Sequence, residues 1–323
     1  MSQQKALVVV FGASGETGRV IMESLLRSDA FRVAAVVRNP INPSLVAFAE
    51  RGVTIHQADL LTVTQDRLTE ILSGAETAIA TLPPSCFEAQ RKIADAAKAV
   101  GVKRFIPDDF ATHTPAGVMK LQDDKLAIRE YIVQSGVGHT FIEVGWWMQL
   151  VVPYPAHITG FIADSMTRDA IGSGDVPSAV TDLFHIGDYV LRIIQDERTL
   201  NRVVFIWEDE VTLNKVWALV ERKLGKEFAR TKKNVIPEAE FMKQLEALRA
   251  AGPEQLARRW VAEYRYSMYI RGDNTAARAK ADGALDFKEL YPDVNAPPLE
   301  DFMDRFYASP YVPYSDTGRY DSD

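Results

Sequence analysis

Near its start the chain reads Leu7-Val8-Val9-Val10-Phe11 and then Gly12-Ala13-Ser14-Gly15-Glu16-Thr17-Gly18, an apolar run broken by glycines spaced G-x-x-G-x-x-G. Few folds accommodate that order. An apolar run with no polar alternation is a strand covered on both faces. Met22, Leu25 and Leu26, at i, i+3 and i+4, give one apolar face to a following helix. Strand, tight turn and helix in succession aim the unsatisfied N–H groups of the helix N-terminus at an anion. Gly12 then makes the turn, Gly15 lets the backbone approach a pyrophosphate, and Gly18 lets the helix pack on the strand. Ser14 and Thr17 offer hydroxyl donors. The same pattern also joins strands to helices where nothing binds, so context decides.

The next apolar run, Val33–Val37, reads as a second strand ending in Arg38-Asn39-Pro40. An acidic residue there would accept a hydrogen bond from a ribose 2′-hydroxyl. Arg38 suits a 2′-phosphate instead, which points to NADPH; the competing reading is a solvated arginine closing a strand. Leu45–Arg51 reads as a helix and Val53–Leu60 as a third strand. Asp59 either lies beside an adenine or caps the next helix, through Leu68–Leu72. Thr77–Leu82 is a strand of small residues, and its end at Thr81 falls in the usual ligand crevice of an open parallel sheet. Ile93, Ala96, Ala97 and Val100 mark a helix closed by Gly101, and Lys103–Pro107 a fifth strand opening into the polar loop 108–114. A helix over Gln122–Ser135 and a sixth strand over His139–Val144 complete the alternation. The expected fold is α/β, a Rossmann-type doubly wound parallel sheet forming an NADP-binding domain over residues 1–150. Residues 151–323 are then mainly a smaller C-terminal substrate-binding domain, with segments near 180–225 returning to the first.

The hydrophobic fraction of 47% and net charge of −7 describe an ordinary globular protein with no general attraction for nucleic acid or anionic membrane. The one basic run, Lys223, Lys226, Arg230, Lys232 and Lys233, reads as a solvated helix end and loop. A single cysteine, Cys86, leaves no intrachain disulfide and no cysteine metal cluster. No apolar stretch nears the roughly 18 residues of a membrane span, so the expected setting is the cytosol, as monomer or homodimer, without metal. Ser315–Asp323 is expected to be a mobile polar tail.

A hydride acceptor that becomes an alkoxide, enolate or phenolate needs a proton or positive charge beside it. Many short-chain dehydrogenases supply this through Tyr-x-x-x-Lys. No tyrosine here is followed four residues later by lysine; Leu121 stands four before Lys125. Lys125, on the helix between the fifth and sixth strands, is the best remaining candidate, placed to bind the nicotinamide ribose and to donate or relay a proton, against the alternative of an exposed lysine beside Asp124. His113, in the loop, could polarise a substrate oxygen or move a proton near neutral pH.

Taken together, Gly12–Gly18, Arg38, Phe105-Ile106-Pro107-Asp108-Asp109-Phe110 and Lys125-x-x-x-Arg129 resemble the NmrA-like and isoflavone reductase-like family of atypical short-chain dehydrogenases, over roughly residues 5 to 225. The resemblance implies an NADPH-binding Rossmann domain, a smaller substrate domain, and reduction of aromatic or conjugated small molecules. It also implies that Lys125 is the catalytic lysine. One departure is Glu143-Val144-Gly145-Trp146-Trp147-Met148, where the plant reductases carry a small-polar stretch. Trp146 and Trp147 there suggest a flat, aromatic-lined substrate pocket, or core packing for one of them. The family also contains dinucleotide-binding regulators without turnover, so a non-catalytic NADP(H) sensor is the rival reading.

Overall fold

The computed structural model describes residues 5–40 and 43–315. The chain divides into two compact units. The first takes the chain up to Phe110, then Asp123–Glu143 and Phe184–Val204; the second takes Ala111–Gln122, Val144–Leu183 and everything from Phe205.

In the first unit, strands β1 (Leu7–Phe11), β2 (Arg32–Val37), β3 (Thr54–Gln57), β4 (Ala75–Ala80) and β5 (Arg104–Ile106) form a parallel sheet in the order β3-β2-β1-β4-β5. The apolar run of β1 is central because both its faces are covered, and Val8 to Phe11 are fully buried. Its neighbours are set in register, Phe11 opposite Val36 on one side and Ala80 on the other. The intervening helices are α1 (Glu16–Ser28), α2 (Pro43–Glu50), α3 (Gln65–Leu72), α4 (Ala89–Val100) and α5 (Lys120–Ser135). Small buried faces bring them close: Ile93, Ala94, Ala96 and Ala97 of α4 join Leu68 and Leu72 of α3 in one apolar cluster.

The sixth strand, β6 (Thr140–Val144), departs from a continuous six-stranded sheet. It meets β5 only through one isolated bridge, Phe105 to His139, with Phe105 N–H donating to the Gly138 carbonyl at 2.7 Å. It then pairs with the strand Arg202–Ile206. Buried Arg104 braces this junction, donating to the hydroxyls of Thr140 and Thr199, each at 2.7 Å, and to the Asp196 carbonyl.

The helix α6 (Ile186–Ile194) belongs to the first unit because it lies against α1. Gly187 makes that approach possible, since a Cβ there would overlap the Val20 carbonyl. The return of chain to this unit ends at Val204, and residues 111–122, 144–150 and 205–225 fall in the second.

The second unit contains a three-stranded sheet of Asp209–Val211, Ser178–Thr181 and Trp146–Trp147, and a parallel pair, Asp169–Ile171 with Asn234–Ile236. The helices Leu213–Leu224, Glu238–Ala250 and Leu256–Arg265 bury Leu213, Phe241, Leu245 and Ala262 around Ile171. The basic run is answered locally: Lys223 pairs with Asp304, Lys226 with Glu221 and Arg230 with Glu227. Of the polar tail, only Ser315 is among the described residues. Among these residues no helix is long and apolar enough to cross a membrane, and no group of three His, Cys, Asp or Glu side chains could hold a metal ion.

Candidate active site

The glycine turn occupies the carboxyl edge of β1, and its three glycines differ in what surrounds them. Gly12 has φ +79°, a left-handed conformation that costs glycine nothing. A Cβ there would also overlap the Thr81 carbonyl, and one at Gly18 would overlap the Gly12 carbonyl. Gly15 is different: its Cβ would find only the Gly12 carbonyl oxygen, at 3.4 Å. Its backbone is extended and exposed, and as N-cap of α1 it brings no side chain to the first-turn N–H groups. Ser14 beside it is exposed and Thr17 half-buried. Two glycines are thus demanded by the fold, while the third keeps open a face that an anion can approach. That cradle fits the pyrophosphate of a dinucleotide.

Two flanking strands complete the edge. Thr81, just past β4, sits beneath the turn: its N–H donates to the Phe11 carbonyl, and its hydroxyl lies 3.0 Å from that oxygen and 3.1 Å from the Gly12 carbonyl. It supports the loop from the protein side. On the other flank Gly12 N–H donates to the Val36 carbonyl at 3.2 Å, so Arg38, two residues further on, stands at the same edge. Arg38 is exposed, and its guanidinium makes no ion pair among the described residues. Asp59 is exposed too, and its carboxylate accepts the Leu61 N–H at 3.0 Å, closing a local turn. It does not cap α3; Thr64 does, accepting from the Arg67 N–H.

Beyond β4 and β5 the same edge holds a buried ionic group. Lys125 is only 7% exposed, which removes the reading of a solvated helix lysine. Its ammonium donates to the main-chain carbonyl of Asp109, lies 3.4 Å from Asp108 Oδ2 and stands 5.2 Å from the centre of the Phe87 ring. One helical turn on, Arg129 donates through Nε to Asp109 Oδ2 at 2.7 Å and through Nη2 to Glu143 Oε1 at 2.9 Å. Two cations thus face three carboxylates. Burial pushes the Asp108 carboxyl up to about 6, Lys125 opposing the shift and Asp109 adding to it. Burial likewise raises Asp109, against the pull of Arg129 and Lys125. One proton on Asp108 would make the group neutral. A lysine buried next to a carboxyl that gains its proton near neutrality is equipped to hand a proton to a developing oxyanion.

The remaining candidates lie in the second unit. His113 is buried, with Nε2 2.9 Å from Asp282 Oδ2 and its ring edge-on to Phe205. Trp147 is enclosed and stacked on Tyr314, so one tryptophan of the pair is packing. Trp146 is half-buried against Tyr264, its Nε1 donating to the Leu150 carbonyl at 3.4 Å.

Asp108, Asp109, Arg129 and Glu143 have no role in the sequence reading, although all four stand inside stretches it singles out. The available signal was the one-turn spacing of Lys125 and Arg129 opposite a carboxylate pair ending a strand.

The family model described as NmrA-like family matches residues 4–303. The chain belongs to the NmrA-like family. Among relatives in that family's range, the Asnovolin J 5',6'-dehydrogenase of Aspergillus novofumigatus is 32% identical over 92% of this chain and 94% of its own. The isoflavone reductase-like protein of Olea europaea is 26% identical over 94% of this chain and 99% of its own. Among solved structures, the leucoanthocyanidin reductase–NADPH complex of Vitis vinifera superposes with a TM-score of 0.78 at 19% identity, covering 94% of this chain and all of that one. An isoflavone reductase structure superposes at 0.77 with 24% identity over the same share. At those identities the structures speak for the fold, and the fold they share is this one.

Proposed function

We propose that this protein is an NADPH-dependent reductase that transfers a hydride to an aromatic or conjugated small molecule at a carbonyl, enone or benzylic position. The observation that carries the reading is the buried Lys125, held at the same sheet edge as the open face of Gly15. Gly12, Ser14, Gly15, Thr17 and Gly18 would hold the pyrophosphate of the cofactor, Arg38 its 2′-phosphate, and Asp59 the adenine side, with Thr81 supporting the turn. When bound, NADPH supplies the hydride.

Lys125 acts as the acid, or as the positive charge beside the oxygen on which charge develops. Burial strengthens that interaction, because little water competes for it. Trp146, half-buried against Tyr264, and Trp147 would give the flat substrate its aromatic lining, and His113, held by Asp282, would polarise a substrate oxygen or move a proton. The names of the relatives support an aromatic or conjugated substrate class. The single cysteine supports work in the cytosol, where thiols stay reduced; the protein would act there as monomer or homodimer.

The test is to mix purified protein with NADPH and a panel of quinones, enones and aromatic ketones, following loss of NADPH absorbance. Oxidation with at least one class supports the reading. Tight NADPH binding without oxidation by any of them replaces it with the NADP(H)-sensor reading.

A further inference from the structure

Arg129 has no part in that chemistry, yet two carboxylates hold it. It and Lys125 lie one turn apart on α5, so their side chains share a face. Both reach the same residue by different ends. Lys125 donates to the main-chain carbonyl of Asp109, and Arg129 to its carboxylate at 2.7 Å. The second arm of Arg129 is fixed on Glu143 of β6 at 2.9 Å, and the guanidinium lies 5.2 Å from the centre of the Phe141 ring.

Asp109 itself stands in a sharply bent stretch. Its N–H donates back to the Pro107 carbonyl at 2.8 Å, and the next residue, Phe110, has φ +28°. A phenylalanine on the positive side of φ is strained and persists only where its surroundings hold it. The carbonyl that receives the lysine therefore belongs to a turn under tension, and the side chain of that same residue is its anchor.

We propose that Arg129 is a positioning residue for Lys125: by gripping Asp109 and Glu143 it holds the turn whose carbonyl fixes the lysine ammonium. This rests on the reading of Lys125 as the reacting group. A lysine stem has four rotatable bonds, and only a fixed acceptor keeps its head in one place. Lysine at position 129 would keep the charge but could not span two carboxylates in a fork.

Two variants test this, Arg129→Lys and Asp109→Asn. Competitive acetylation with acetic anhydride, read lysine by lysine by mass spectrometry, reports the freedom of Lys125 with no substrate present. Lys226, whose side chain is 90% exposed, is the internal reference. The Lys125-to-Lys226 ratio should rise about tenfold in either variant once a charge-assisted anchor is lost. An unchanged ratio in a folded variant overturns the proposal, and if Arg129→Lys does not fold, Asp109→Asn decides alone.

The kinetic arm is single-turnover reduction of menadione by bound NADPH. Arg129→Lys should slow it about tenfold or more in the wild-type background, as small misplacements of a reacting group do. In the Lys125→Ala background it should change nothing. Equal slowing in both backgrounds overturns the proposal, because Arg129 would then act on the fold and not through Lys125. Full activity of Lys125→Ala itself would remove the underlying reading of Lys125, and the acetylation ratio would still decide whether Arg129 positions that lysine.

Discussion

Asp108 Oδ2 lies 3.4 Å from the Lys125 ammonium, yet burial outweighs that attraction and lifts the Asp108 carboxyl from 3.8 to about 6. The folded chain therefore holds this proton more tightly than the unfolded one. Between those two values folding takes up a proton, so stability is greatest at the acid end and falls as pH rises through the folded value. At about 1.4 kcal/mol per unit, the change is about 3 kcal/mol at most. Asp108→Asn removes it. Urea unfolding from about pH 4 to pH 7 should show the variant gaining on the wild type by up to that amount. A pH-independent difference would mean that Asp108 ionises normally in the fold.

The glycines of the turn should separate by their surroundings. Gly15→Val adds a side chain where the protein leaves space, in a backbone conformation valine adopts freely, so the fold should persist while NADPH affinity collapses. Gly18→Ala drives a methyl into the Gly12 carbonyl, and should cost about 1–3 kcal/mol of stability or more. Thermal unfolding and NADPH titration of the two variants check both outcomes. Undiminished binding by folded Gly15→Val would place the cofactor elsewhere.

Arg38 should set the choice of cofactor. Arg38→Ala loses a charge-assisted contact to the 2′-phosphate, costing about 1.5–3 kcal/mol in NADPH binding and nothing in NADH binding. Titrations of both cofactors against both proteins measure this. Equal affinities in the wild type, or a preference that survives the substitution, would release Arg38 from the role.

Much of this site was legible because its signals are local. The apolar run of β1 and the glycine spacing state a strand, a turn and a helix within twelve residues, and Arg38 follows β2 by simple counting. Lys125 could be named only by position and resemblance, since nothing in its neighbours along the chain says whether it faces solvent. Its burial depends on Phe87 and Asp109, which lie 38 and 16 residues away in sequence. The Arg129 grip on Glu143 is of the same kind: it exists only because α5 and β6 come together. Asp59 suits a helix start by residue type, but its carboxylate closes a turn on Leu61 and Thr64 makes the cap, which is a property of the folded loop. The single bridge between β5 and β6 was likewise hidden, since strand propensity says nothing about how far two neighbours stay in register.

The central claim is that Lys125 supplies the proton or charge when hydride reaches the substrate. Its direct test is single-turnover oxidation of bound NADPH, with a quinone or enone the wild type accepts, in Lys125→Ala. The charge matters most where the oxyanion develops, so the chemical step should fall about 100-fold or more while NADPH affinity stays within a few-fold of wild type. Lys125→Arg should recover little, because a guanidinium keeps its proton. A folded Lys125→Ala protein that oxidises NADPH at the wild-type rate would contradict the account.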